Sequence, residues 1–216
     1  MMAAISRLLL TALLSVVALS LVVRIVRYFH KFPMPAMLAS LIDNPLRRRI
    51  QPPSDMPARH SISRGMTVLE VGPGNGRYTV ETARAVGEGG KVVAVDIQPS
   101  MIDRVLDRVR REGITNVEAR TADVHDLPFA DREFDAIYLL AVFNEIPSPE
   151  KTLAEFHRVL KPSGTLALSE ILTDPDYSLA RTLIKKVERS SFQLKRKLGG
   201  FFAYTLVFQK PGESVA

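Results

Sequence analysis

The stretch VLEVGPGNGRYT, Val68–Thr79, sets glycine at 72, 74 and 76, with Pro73 and Asn75 between them, directly behind a short apolar run. Such permissive residues, where a strand ends and a helix begins, mark a backbone that passes close to a ligand or turns sharply. Outward from this loop the chain alternates. MTVLEVG reads as a buried strand and GRYTVETARAVG as the helix behind it, stopped by Gly87. KVVAVDI is a second strand. QPSMIDRVLDRVRREG is a helix with Ile102, Val105, Leu106 and Val109 on one face and Gly113 as its stop. NVEARTAD, FDAIYLLAV and TLALSEIL follow as strands. SPEKTLAEFHRVLKPSG is a helix with Ser148 as N-cap, Pro149 at its first position and a stop at Pro162 and Gly164. SLARTLIKKVERS is another helix, and SFQLKRKLGGFFAYTLVFQKP reads as an antiparallel hairpin around Gly199 and Gly200.

The pattern predicts an α/β chain: a Rossmann-like, doubly wound, mostly parallel seven-stranded sheet with an antiparallel C-terminal hairpin. Ligands of such sheets bind at the carboxyl ends of the strands, where the glycine loop lies. The absence of cysteine excludes a disulfide framework, a zinc–thiolate site and a cysteine nucleophile. No metal is expected. The net charge of +6 is concentrated in RIVRYFHK and NPLRRR, near the N-terminus. Basic residues beside an apolar segment point to anionic lipid before nucleic acid, and no nucleic-acid partner is expected.

That apolar segment, LLLTALLSVVALSLVV from Leu8 to Val23, carries no charge and is bracketed by Arg7 and Arg24. Its sixteen residues cover roughly 24 Å against a hydrocarbon core of ~30 Å, so a span needs Ala3–Ile5 and snorkelling arginines. A cleaved signal peptide and a buried helix compete with a membrane anchor; the anchor is the expectation, with the bilayer as partner. Arg24, Arg27, Lys31 and Arg47–Arg49 follow the segment and only Arg7 precedes it, which puts the catalytic domain in the cytoplasm. The expected domains are a hydrophobic anchor helix over 1–27, a basic, proline-rich collar over 28–60 and the α/β domain over 61–216. In the collar, Ala36–Ile42 is a candidate helix. Phe32, Met34, Met37, Leu38, Leu41 and Ile42 either lie among lipid headgroups, roof the active site or simply pack on the domain.

The loop narrows the ligand. A dinucleotide site asks for G-x-G-x-x-G, but Arg77 stands where the third glycine belongs, and a P-loop Gly-Lys-Ser/Thr is absent. What remains is E-x-G-x-G-x-G, with one acid after the second strand and another after the third. On these residues the chain resembles class I S-adenosylmethionine-dependent methyltransferases of the methyltransferase type 11 kind, over Gly65–Pro211. Quinone and phospholipid methyltransferases are among the similar proteins.

The resemblance implies S-adenosyl-L-methionine as cofactor. It implies Gly72, Gly74, Gly76 and Tyr78 around the methionine and ribose portions, with Glu70 on the methionine end or holding the loop. Asp96 would take the ribose hydroxyls, with Ile97 and Met101 flanking the adenine. Asp123 would take the adenine amino group, with the Val124 N–H on a ring nitrogen and Leu140 as floor. An amine acceptor must lose a proton, and Glu145 and Asn144, in FNEIP, are the candidate catalytic residues; capping the next turn is the alternative. Tyr78 and Phe143 are candidates for cation–π contact or for plain packing. His125 reads as a base or a solvated loop residue, His157 as structural. The acceptor expected is a membrane-associated lipid, a quinone-like or another small molecule; a soluble small acceptor and a non-catalytic cofactor-binding scaffold are the alternatives. Nothing in the sequence sets the oligomeric state.

Overall fold

The computed structural model describes residues 44–212, with positions 7, 10, 11, 14, 15, 18, 22–27 and 29–31 before them. Two short helices, α1 (Pro45–Ile50) and α2 (Met56–Arg59), lead into β1 (Thr67–Val71), α3 (Arg77–Val86), β2 (Lys91–Asp96) and α4 (Pro99–Arg111). Then come β3 (Val117–Thr121), β4 (Phe134–Leu140), α5 (Pro149–Val159), β5 (Leu160–Ile171), α6 (Ala180–Glu188), β6 (Gln193–Gly199) and β7 (Ala203–Gln209). The seven strands form one sheet in the order β3-β2-β1-β4-β5-β7-β6. The first five are parallel, and β7 runs antiparallel between β5 and β6.

Side chains two apart share a face of the sheet. Leu69, Val71, Val93, Val95, Ile137 and Leu139 therefore build one core with α5 and α6. Val68, Val92, Ala136, Tyr138 and Ala167 build the other, against Ala83 and Val86 of α3. Along α4 the buried face is Met101, Ile102, Val105 and Val109, with Leu106 half-buried. Gly113, at φ +66°, ends that helix in a left-handed turn.

Ser148 is the N-cap of α5 and Pro149 its first residue, as expected, although Ser148 adopts a left-handed backbone with no capping side-chain bond. One local expectation needs correcting: the helix does not run to Pro162 but ends at Val159, and β5 begins at Leu160. Leu160 is fully buried opposite Phe134, so burial pulls the backbone into the sheet before the proline is reached. A shift of register between Phe134 and Ala136 absorbs the extra residues.

The larger correction is at the N-terminus. Among the described residues no helix is long and apolar enough to cross a membrane, which overturns the expected membrane-anchored localisation; positions 8, 9, 12, 13, 16, 17 and 19–21 of the apolar segment lie outside the described residues. Residues 22–27 are helical, and the cations meant to face lipid headgroups are used by the protein. Arg24 donates to the carbonyls of Leu172, at 2.6 Å, and Asp174, at 2.9 Å. Arg27 is 2% exposed; its Nε meets Asp176 and its Nη2 lies 3.3 Å from Glu145. Lys31 bonds Asp176 at 3.0 Å. The expected helix over Ala36–Ile42, with Phe32, Met34, Met37, Leu38 and Leu41, lies outside the described residues.

Residues 44–60 pack on the domain. Met56 and His60 are buried; His60 stacks on Tyr138 and its Nε2 lies 2.8 Å from the Ser169 hydroxyl. Burial, with help from Arg59 and Arg196, pushes the imidazole down to about 3 and keeps it neutral.

Breaking a buried ion pair by removing one partner strands the other charge. Arg27→Met is therefore expected to cost about 3 kcal/mol, read as a lower urea midpoint. An unchanged midpoint would show that residues 22–31 contribute nothing to the folded domain.

Candidate active site

At the carboxyl ends of β1, β2 and β4 a cavity of about 360 Å³ opens, lined among others by Glu70, Gly72, Gly74, Tyr78, Asp96, Ile97, Met101, Asp123, Val124, Leu140 and Glu145. Parallel register puts them there: Glu70 lies beside Ala94 and Tyr138, and Asp96 and Leu140 end the neighbouring strands.

Of the expected site residues, Gly76 and Asn144 are not among those lining the cavity. A Cβ on Gly76 would sit 3.1 Å from the Val105 backbone, so this glycine lets α3 approach α4. Asn144 is buried: its amide donates to Glu170 at 3.1 Å and accepts from Ser178 at 3.2 Å. Gly72 is also shaped by the protein, since a Cβ there would meet Val142 at 2.6 Å. Only at Gly74 would a Cβ point into open space. Phe143 belongs to the core.

Glu70 is a buried acid beside Tyr138, 3% exposed, and among the described residues its Oε2 has no hydrogen-bond partner. Burial pushes its carboxyl up from 4.5 to about 7, while the Thr79 and Tyr138 hydroxyls pull the other way. Asp96 is also raised by burial, with the backbone N–H groups of Gln98 and Ile97 opposing. Asp123 is exposed and lowered, first by the His125 N–H. The Tyr78 hydroxyl donates to the Gln51 carbonyl at 3.0 Å, tying α3 to the segment behind α1. His125 is no free base: Nδ1 lies 2.7 Å from Asp123 Oδ1, and Nε2 meets the Pro147 carbonyl, which only accepts, at 2.7 Å. His157 packs edge-on against Phe192.

Sequence reading missed Lys31, Arg47 and Asp174, all of which line the cavity. Asn44 caps α1 through a 3.0 Å bond to the Arg47 N–H, and Pro45 starts the helix. That Asn-Pro pair was the available signal that NPLRRR is an ordered element rather than a basic linker. Glu145, Asp174 and Asp176 cluster within 4.8 Å, and Arg27 and Lys31 lie against this cluster.

A methyltransferase domain model matches residues 62–208, and the chain belongs to that family. It is 36% identical over 143 residues to the ubiquinone/menaquinone biosynthesis C-methyltransferase UbiE of Klebsiella pneumoniae subsp. pneumoniae, a match covering 66% of this chain and 55% of that one. The Escherichia fergusonii protein of the same name is 35% identical over the same length. The chain thus spans just over half the length of these relatives. Among solved structures, a SAM-dependent methyltransferase from Aquifex aeolicus superposes with a TM-score of 0.76 at 26% identity, over 82% of this chain and 100% of that one. The [4+2]-cyclase SpnF shares the fold, with a TM-score of 0.66 at 18% identity over 74% of this chain and 80% of its own.

The cofactor of this family is S-adenosylmethionine, and the residues present fit it. The cofactor carries an ammonium, a ribose diol and an adenine amino group, all donors, and the cavity offers three carboxylates on successive strand ends. The unpartnered Glu70 oxygen asks for a donor.

Because burial raises Glu70, its contribution to stability is greatest below 4.5 and is lost as pH rises to about 7. Without cofactor, Glu70→Gln is expected to be more stable than wild type at pH 8, by on the order of 3 kcal/mol, and equal to it near pH 4. Urea unfolding across that range tests this, and a pH-independent difference would contradict it.

Proposed function

We propose that the protein transfers the methyl group of S-adenosylmethionine by direct displacement to a small, quinone-like ring acceptor. The observation that carries this reading is the row of Glu70, Asp96 and Asp123 around one cavity. The name of the UbiE relatives, ubiquinone/menaquinone biosynthesis C-methyltransferase, supports the acceptor class. A soluble acceptor of another kind is the second reading, and the cyclase relative is a reminder that the fold alone does not name a reaction.

Bound S-adenosylmethionine supplies a methyl group on a cationic sulfur, already an activated electrophile. The protein's part is then alignment and exclusion of water. Glu70 receives the ammonium of the methionine portion. Asp96, held by the Gln98 N–H at 2.9 Å, receives the ribose hydroxyls, with Ile97 and Met101 against the adenine. Asp123 and the Val124 N–H read the adenine edge, above Leu140. Gly74 leaves room for the methionine chain, and Tyr78 fixes the wall beside it. The acceptor enters between Leu140 and Pro147. There Glu145, kept in place by Arg27, is the carboxylate available to take the proton that the acceptor loses.

Charge-assisted hydrogen bonds contribute about 1.5–3 kcal/mol each. Asp96→Ala is therefore expected to weaken binding of S-adenosylhomocysteine, the demethylated cofactor, by roughly 10- to 100-fold. In the same variant, transfer of labelled methyl to organic-extractable acceptor at limiting cofactor should fall by a similar factor, while the melting temperature stays that of a folded protein. Transfer at the wild-type rate would remove Asp96 from the site.

A further inference from the structure

Arg47 is a cation in an unusual position. It comes from α1, lines the cavity and is 8% exposed, yet among the described residues its Nε has no hydrogen-bond partner. Its side chain makes one hydrogen bond among the described residues, a long one of 3.5 Å, from Nη2 to the Leu140 carbonyl at the end of β4. Among the described residues no carboxylate lies within ion-pair distance of it. By contrast, Arg27 and Lys31, on the same side of the molecule, both have carboxylate partners. Burying a guanidinium with a donor unused is costly, which is tolerable where a ligand later supplies the acceptor.

The position says which ligand. The charge of Arg47 acts on Glu170 and Asp174, the acids at the end of β5. Glu70, on the proposed methionine side, is set by burial and by two hydroxyls. The guanidinium therefore stands at the ends of β4 and β5, on the side where the acceptor is proposed to enter.

We propose that Arg47 is the residue that anchors an anionic oxygen of the acceptor, so that the acceptor is an ionised hydroxyl-bearing ring, a phenolate or enolate. The inference rests on the methyltransferase reading above and narrows its substrate class. The chemistry balances. The acceptor gives up its hydroxyl proton to solvent before it binds, and its anion attacks the methyl carbon through oxygen or through the neighbouring ring carbon. The new bond to methyl forms as the carbon–sulfur bond breaks with its electron pair passing to sulfur; one anion and one sulfonium become two neutral products. Attack through carbon releases a further proton from the ring, for which Glu145 is the nearby acceptor. A guanidinium fork on the oxygen holds the ring in one orientation and favours the ionised form. Lysine supplies the charge without the fork.

The test uses the full chain saturated with S-adenosylhomocysteine, and two probes: 2-hydroxy-1,4-naphthoquinone, which is an enolate at neutral pH, and uncharged 1,4-naphthoquinone. The chain has no cysteine for a quinone to alkylate. Calorimetry on the wild type should show the enolate bound at least tenfold more tightly than the neutral ring. Arg47→Met should abolish that preference, Arg47→Lys should restore part of it, and the affinity for S-adenosylhomocysteine should change less than about twofold. Retention of the preference in Arg47→Met overturns the proposal. So does a loss that falls on S-adenosylhomocysteine instead, which would put Arg47 on the cofactor's carboxylate. A wild type that binds S-adenosylhomocysteine but does not distinguish the probes overturns the Arg47 assignment and leaves the proposed function standing. A wild type that binds no S-adenosylhomocysteine overturns both. Since only a ratio of two ligands on one protein is read, a variant that is merely less stable does not imitate the expected result.

Discussion

The parallel register of β1 between β2 and β4 is the constraint on which the site depends. It sets Glu70 beside Ala94 and Tyr138. A slip of one residue would turn every β1 side chain to the opposite face, carrying Glu70 away from the Thr79 and Tyr138 hydroxyls and pushing Leu69 out of its core. The two apolar cores hold that register. Their cohesion keeps a carboxyl buried with one oxygen unpartnered, at a standing cost to stability. The glycine loop follows from the same constraint, since Gly72 must pass under Val142 and Gly76 must admit α4.

Charge at the other end of the cavity is arranged differently. Glu145, Glu170, Asp174 and Asp176 crowd the ends of β4 and β5, and burial together with their neighbours raises Glu170 well above the ordinary carboxylate range. The N-terminal cations answer this: Arg27 and Lys31 pair with the acids, and Arg24 holds the backbone at Leu172 and Asp174. The two ends thus differ in kind. One is lined by the carboxylates Glu70, Asp96 and Asp123; the other mixes acids and cations, and among the described residues no carboxylate lies within ion-pair distance of Arg47.

Much of this was legible in the sequence because it is local. Strand ends, glycine spacing and the acids that close KVVAVD and TAD are set by neighbours in the chain, and the cavity gathers Glu70, Asp96 and Asp123. What was not legible depends on contacts far apart in sequence. Gly76 looks like its neighbours in the motif, and its packing partner Val105 is known only from the fold. Asn144 and Glu145 are adjacent, yet one turns inward to Glu170 and the other to the cavity. The arginines after the apolar segment read the same whether they meet lipid phosphates or protein carboxylates. The acids they meet lie some 150 positions away, as the separation of 149 between Arg27 and Asp176 shows.

The most direct test of the account is a crystal structure of the full chain with S-adenosylhomocysteine. The account predicts the ammonium on Glu70, the ribose hydroxyls on Asp96, the adenine between Ile97, Met101 and Asp123, and Arg47 left facing empty cavity beside Leu140. A nucleoside bound elsewhere, or one whose ribose does not reach Asp96, would contradict it.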